Sequence, residues 1–126
     1  MKTKSSATIA LMAAVGVLTA CAGLQPPKQA ATDPAYLARI DQLSQNRCNA
    51  QVAGAVEGVG VAPDRITELY YTRDMDGTND RVVRYTAWIR LSGQPGHLIV
   101  DADAMTCRAI QVYTRDGADI EGVSSF

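Results

Sequence analysis

The sequence predicts an α+β fold in which one or two N-terminal helices pack on a small antiparallel sheet of three to four strands. Apolar residues recur at helical spacing between Tyr36 and Val59, and the period changes to two from Asp64 onward. Clusters of Gly, Pro, Asn and Asp then cut the second half into short runs. With 126 residues and 47% apolar content, the chain is bounded to one modest domain. Twelve basic against thirteen acidic side chains give a net charge of −1, so no strongly basic surface exists for counterion release, and nucleic acid is disfavoured as a partner. A charged fraction of 20% is also too low for an acidic disordered chain.

The first segment, Met1 to Ala20, begins with Lys2 and Lys4 and continues into the apolar run Ile9 to Leu18. That pattern reads as a secretory leader, since a membrane span needs roughly 20 strongly apolar residues. Residues 21–34 hold three of the five prolines and almost no bulky apolar side chain, which reads as a flexible tether. The folded unit is then expected over 35–126.

Asp33-Pro34 opens a helix, because the Asp side chain caps free N–H groups and Pro fits the first helical position. Tyr36, Leu37, Ile40 and Leu43 form its apolar stripe, and the helix is expected to run to about Arg47. Cys48, Val52, Ala55, Val56 and Val59 continue the pattern as a second, small-residue helix ended by Gly58, Gly60 and Pro63. Arg65 to Arg73 reads as a strand, Asp74 to Asp80 as a polar turn, and Arg81 to Leu91 as the strongest strand of the chain. On that strand Val83, Tyr85, Ala87, Ile89 and Leu91 share a core face, opposite Arg84, Thr86, Trp88 and Arg90. His97 to Asp101 and Cys107 to Arg115 make two further short strands, and Asp116 to Phe126 reads as a mostly loose tail. Helices covering one face of a meander is the simplest arrangement of this order.

Leu18-Thr19-Ala20-Cys21 resembles the lipobox of bacterial lipoproteins: an apolar residue, two small residues, then Cys, directly after an apolar run with a basic start. The resemblance implies cleavage after Ala20 and fatty acylation of Cys21, the palmitate-type modification of that family. Ordinary leader cleavage after Ala22 is the competing reading, and both export the protein. Two or more acyl chains would anchor it stably, at about 0.8 kcal/mol per buried methylene. Ala22 stands where the family places Asp as an inner-membrane retention signal, so the resemblance points to the outer membrane, facing the periplasm. Loss of Lys2 and Lys4 would leave ten bases against thirteen acids, so lipid and not a polybasic patch would hold the membrane.

With Cys21 assigned to lipid, Cys48 and Cys107 remain as a pair suited to a disulfide in an oxidising compartment. A zinc site, a catalytic thiol paired with His97 and two free thiols are the alternatives; zinc lacks ligands, since only these two Cys and one His remain.

The last hairpin, Gly96 to Ile110, resembles the closing hairpin of PepSY-type domains, where a strand ending in Val-Asp turns back through a short polar loop; here Cys107 stands where Gly is usual. That resemblance implies a regulator or inhibitor of a peptidase. Small α+β periplasmic lipoproteins acting as assembly accessories are similar in length and element order.

Three clusters invite chemistry. Asp74, Asp76, Asn79 and Asp80 place oxygen ligands at spacings a calcium ion could gather, yet Gly77 comes too early for an EF-hand loop and Tyr85 takes the place of its terminal Glu; a plain hairpin turn demands the same residues. Arg84, Trp88 and Arg90, joined by Arg73 and Arg108 from neighbouring strands, would present bidentate donors around an aromatic anchor, suited to carboxylates of a peptide, peptidoglycan or an envelope protein. The alternative is that arginine stems simply cover Trp88. Asp101 and Asp103 fall in a turn, with His97 the one nearby base and no nucleophile in a triad spacing. The expectation is an exported, lipid-anchored, non-catalytic binding or assembly module without a cofactor, against the alternatives of a peptidase regulator and a calcium-stabilised structural module.

Overall fold

A computed structural model describes residue 27 and residues 30–78 and 80–126. The leader over 1–20, the acylation site Cys21 and most of the tether lie outside the described residues. Helix α1 spans Pro34–Leu43 and α2 spans Asn49–Gly58; after a single 3₁₀ turn at Pro63–Arg65 come strands β1 (Ile66–Asp76), β2 (Arg81–Leu91), β3 (His97–Asp103) and β4 (Ala109–Arg115). The strands form one antiparallel sheet in sequential order, β1-β2-β3-β4. Both helices lie on one face of it, giving the expected two-layer α+β architecture. No helix among the described residues is long and apolar enough to cross a membrane.

Asp33 starts α1 as expected, its Oδ1 accepting from Ala35 N at 2.9 Å. The helix ends four residues before Arg47, at Leu43. The polar run after it prefers local side-chain bonds to helical ones: Asn46 Oδ1 accepts from Cys48 N at 2.8 Å, and Asn49 Nδ2 donates to Ser44 O at 2.8 Å. The interruption separates α2 from α1. Ile40 of α1 and Val52, Ala53, Ala55 and Val56 of α2 are then buried against Leu69, Ala87, Ile89, Leu91, Leu98 and Val100 of the sheet.

The core face of β2 is the one its alternation predicts, with Ala87, Ile89 and Leu91 in the main core. Tyr85 joins a second cluster with Cys48, Ala102 and Cys107, whereas Val83 runs beyond the helices and stays exposed. The sulfurs of Cys48 and Cys107 are bonded, with Cα atoms 5.0 Å apart, tying the start of α2 to the β3–β4 turn. Arg47 donates to Ala104 O beside it, and to Met105 O at 3.1 Å. Cys107 lies outside β4, in the turn, with φ 60°. The place where a hairpin would carry Gly is therefore held in the left-handed region by a bridged Cys.

Three further segments differ from expectation. Strand β1 continues past Arg73 to Asp76, so the turn shrinks to its last residues. The stretch read as tether through Pro34 has Ala30–Thr32 seated on α2: Glu57 accepts from Thr32 N at 2.6 Å and from its hydroxyl, and Ala31 packs on the core. The tail is docked, not loose: Ser125 bridges Thr114 in parallel, and Val123 packs on the core. Backbone hydrogen bonding at the free side of β4, invisible to side-chain periodicity, accounts for this.

Candidate functional site: the open face of the sheet

Alternation along four paired strands sends every second side chain to the face without helices. The register arranges these side chains in rows across the sheet. One row runs Tyr70, Trp88, Ile99, Tyr113, and the next runs Thr72, Thr86, Asp101, Gln111. At one end stand Glu68 and Arg90, with His97 opposite Arg115; at the other stand Asp74, Arg84 and Asp103.

Trp88 is the centre of the aromatic row. Its ring is parallel to that of Tyr70, with centroids 5.9 Å apart, and His97 stands edge-on to it at 5.6 Å. The Arg115 guanidinium lies 5.8 Å from the indole centroid, a cation–π arrangement. Indole Nε1 donates to Thr72 Oγ1 at 2.9 Å, so the ring is fixed in its plane. Beneath these groups Ile99 is fully buried although α1 and α2 lie on the other face. Phe126 of the tail meets Tyr113 edge-on at 5.5 Å.

The expected arginines reach this face but are already engaged. Arg84 donates through Nε and Nη2 to Asp74 Oδ2, the first at 2.7 Å, and that bond raises its already high pKa. Arg90 pairs with Glu68 at 3.4 Å. Arg73 faces the helical side, opposite Tyr85, and Arg108 lies in the turn before β4, so neither joins Trp88. Arg115, which the sequence left unassigned, is the guanidinium at the indole. Its distance of 27 residues from Trp88 in sequence hides the relation, which only the pairing of β2 with β3 and β3 with β4 creates.

Asp101 was expected in a turn and instead sits inside β3, 2% exposed. Thr86 Oγ1 and Gln111 Nε2 each donate to it at 2.6 Å, so the carboxylate is held within its own row. Burial, then the nearby Asp101 charge, push the Tyr113 phenol upward, while Arg115 and Arg84 act against this. Asp103 caps the following turn, accepting from Met105 N at 2.9 Å and Thr106 N at 2.8 Å, and these bonds hold its carboxyl below the usual range.

The oxygen-rich loop is divided by the fold. Asp74 belongs to β1 and faces Arg84, whereas Asp76 Oδ1 accepts from Thr78 N at 3.0 Å in the turn. Asn79 lies outside the described residues. Among the described residues, no group of three or more His, Cys, Asp or Glu side chains is disposed to hold a metal ion. No family model matches this chain, and no curated protein or solved structure matches it.

Proposed function

We propose that this protein is an exported, non-catalytic binding module of the cell envelope, anchored to the outer membrane through acylated Cys21 and facing the periplasm. It engages the carboxylates of an acidic envelope protein or of peptidoglycan through the open face of its sheet. The observation that carries this reading is the Trp88 cluster: an aromatic anchor in contact with Tyr70 and His97, flanked by the exposed Arg115, on the face with no helix over it among the described residues. Aromatic anchors beside guanidinium groups are the usual energetic centre of a polar interface.

The position of the incoming chain supports the same reading. Ala30 lies against α2, in the layer opposite the open face. The nine residues from Cys21 to Ala30 span at most about 30 Å, so an anchor there would keep the folded unit within that reach of the bilayer while attaching it on the side away from the open face.

Two measurements test the proposal. Mass analysis of the detergent-extracted protein should give an acylated N-terminus at Cys21; an intact leader or an unacylated start at Gly23 would remove the anchor. A photoreactive aromatic residue at position 88 should capture an envelope component in intact cells, and Arg115→Glu should abolish that capture. Absent capture, or capture indifferent to the charge reversal, would sink the binding role.

A further inference from the structure

The two edges of the sheet are unequal. Strand β4 is seven residues long, is bulged at Ile110, and has its outer side occupied by the tail: Thr114 N donates to Ser124 O at 2.8 Å and Phe126 N to Thr114 O at 2.9 Å. Strand β1 is eleven residues long, contains neither Pro nor Lys, and keeps register with β2 from Glu68 to Asp74, between irregularities at Ile66/Glu68 and Asp74/Met75. Arg39 Nε and Nη2 bind Ile66 O at 2.9 and 2.7 Å. From Thr67 to Met75, no strand or loop among the described residues pairs with the outer side of β1. Every second residue there turns its N–H and C=O outward, a template for another strand. Tyr70, 47% exposed, and Met75, 50% exposed, lie on this strand.

We propose that a second copy of this chain occupies that edge, the two β1 strands pairing antiparallel about a two-fold axis at Tyr70 to make one continuous sheet. The register follows from side-chain direction and charge. Directly opposed residues of an antiparallel pair point to the same face, so both helical layers stay on one side only if Tyr70 and the other open-face residues oppose their own kind. An axis at Tyr71 sets Glu68 against Asp74, and one at Thr72 sets Glu68 against Asp76; like charges directly opposite are destabilising. The axis at Tyr70 sets Thr72 against Glu68, Leu69 against Tyr71 and Arg73 against Thr67, with no like charges opposed. It brings the two exposed Tyr70 rings together and joins the aromatic rows of the two copies through them. A closed two-fold pairing also consumes the open edge of both chains and ends the assembly at two.

The inference concerns the edge of β1, and it stands or falls independently of what the Trp88 face binds. The full chain, expressed with its own leader and extracted in detergent, should have the protein mass of two copies by light scattering; one copy would overturn the proposal. In cells, Tyr70→Cys should form a disulfide-linked dimer, since opposed Cα atoms lie about 4.5–5.5 Å apart, within disulfide reach. Glu68→Cys and Thr72→Cys should each stay uncrosslinked alone, yet give a mixed dimer when differently tagged copies are co-expressed. Equal crosslinking of all three single variants, no crosslinking at position 70, or an adduct there with a protein of different mass would each overturn it.

Discussion

The position that a Cβ would take on Gly54 lies 2.5 Å from the carbonyl carbon of Ala30. Helix α2 and the arriving chain therefore touch backbone to backbone, and the small-residue character of α2 has a second use besides packing on the sheet. Glu57, one turn along, completes the contact by accepting from Thr32.

Gly54→Ala should release this segment. Overpacking against backbone costs about 1–3 kcal/mol, and Ala recovers about 1 kcal/mol of helix propensity. The melting temperature should therefore fall only slightly, while tryptic cleavage at Lys28 accelerates. An unchanged cleavage rate would mean that Ala30 does not depend on Gly54.

Reduction of Cys48–Cys107 should cost about 4 kcal/mol on the chain-entropy scale for a loop of this length, read as a lower denaturant midpoint. The left-handed backbone at Cys107 adds a finer expectation. Cys48→Ala combined with Cys107→Gly should be more stable than Cys48→Ala combined with Cys107→Ala by about 1 kcal/mol, because only Gly takes that conformation freely.

Tyr71 Oη donates to Asn49 Oδ1 at 2.5 Å, and Asn49 Nδ2 donates in turn to Asp41 Oδ1 at 2.7 Å. Burial, and secondarily the Asp41 charge, raise the Tyr71 pKa well above its ordinary value of 10. The unfolded chain therefore ionises first. The stabilisation is complete below about pH 10 and is lost as pH rises above it. Tyr71→Phe should cost about 1–3 kcal/mol at neutral pH by leaving Asn49 without its donor, and should remove this part of the alkaline loss in urea titrations.

The Arg84–Asp74 pair is 41% and 45% exposed, so it is expected to contribute only about 0–1 kcal/mol. Arg84→Ala should leave both the melting temperature and capture at position 88 nearly unchanged. A capture loss as large as that of Arg115→Glu would return Arg84 to the recognition set. Calcium in millimolar excess should not shift the melting temperature, since Asp74 is engaged by Arg84 and lies on a strand.

Much of the fold was legible because burial on one side leaves a period. The 3.6-residue stripe of α1, the alternation of β2 and the capping Asp33 each state a local preference that packing did not override. Boundaries were less legible where polar residues had a local and a tertiary option. Ser44 to Asn46 looked helical by continuation, yet the side chains of Gln45, Asn46 and Asn49 found local backbone partners. Asp101 looked like turn chemistry, yet Thr86 and Gln111, on the two neighbouring strands, hold it inside the sheet. The anchor Trp88 was legible as the large aromatic of the face opposite the core. Its cation was not, because Arg84 and Arg90 stand nearest in sequence while Arg115 reaches it from two strands away.

The sequence by itself determined the element types and the core face of the central strand, since these follow from local periodicity. Only the tertiary structure decided which charges are engaged within the fold, where the incoming chain meets it, and which sheet edge the tail covers. Those depend on cross-strand register, and register brings together groups that no spacing along the chain relates.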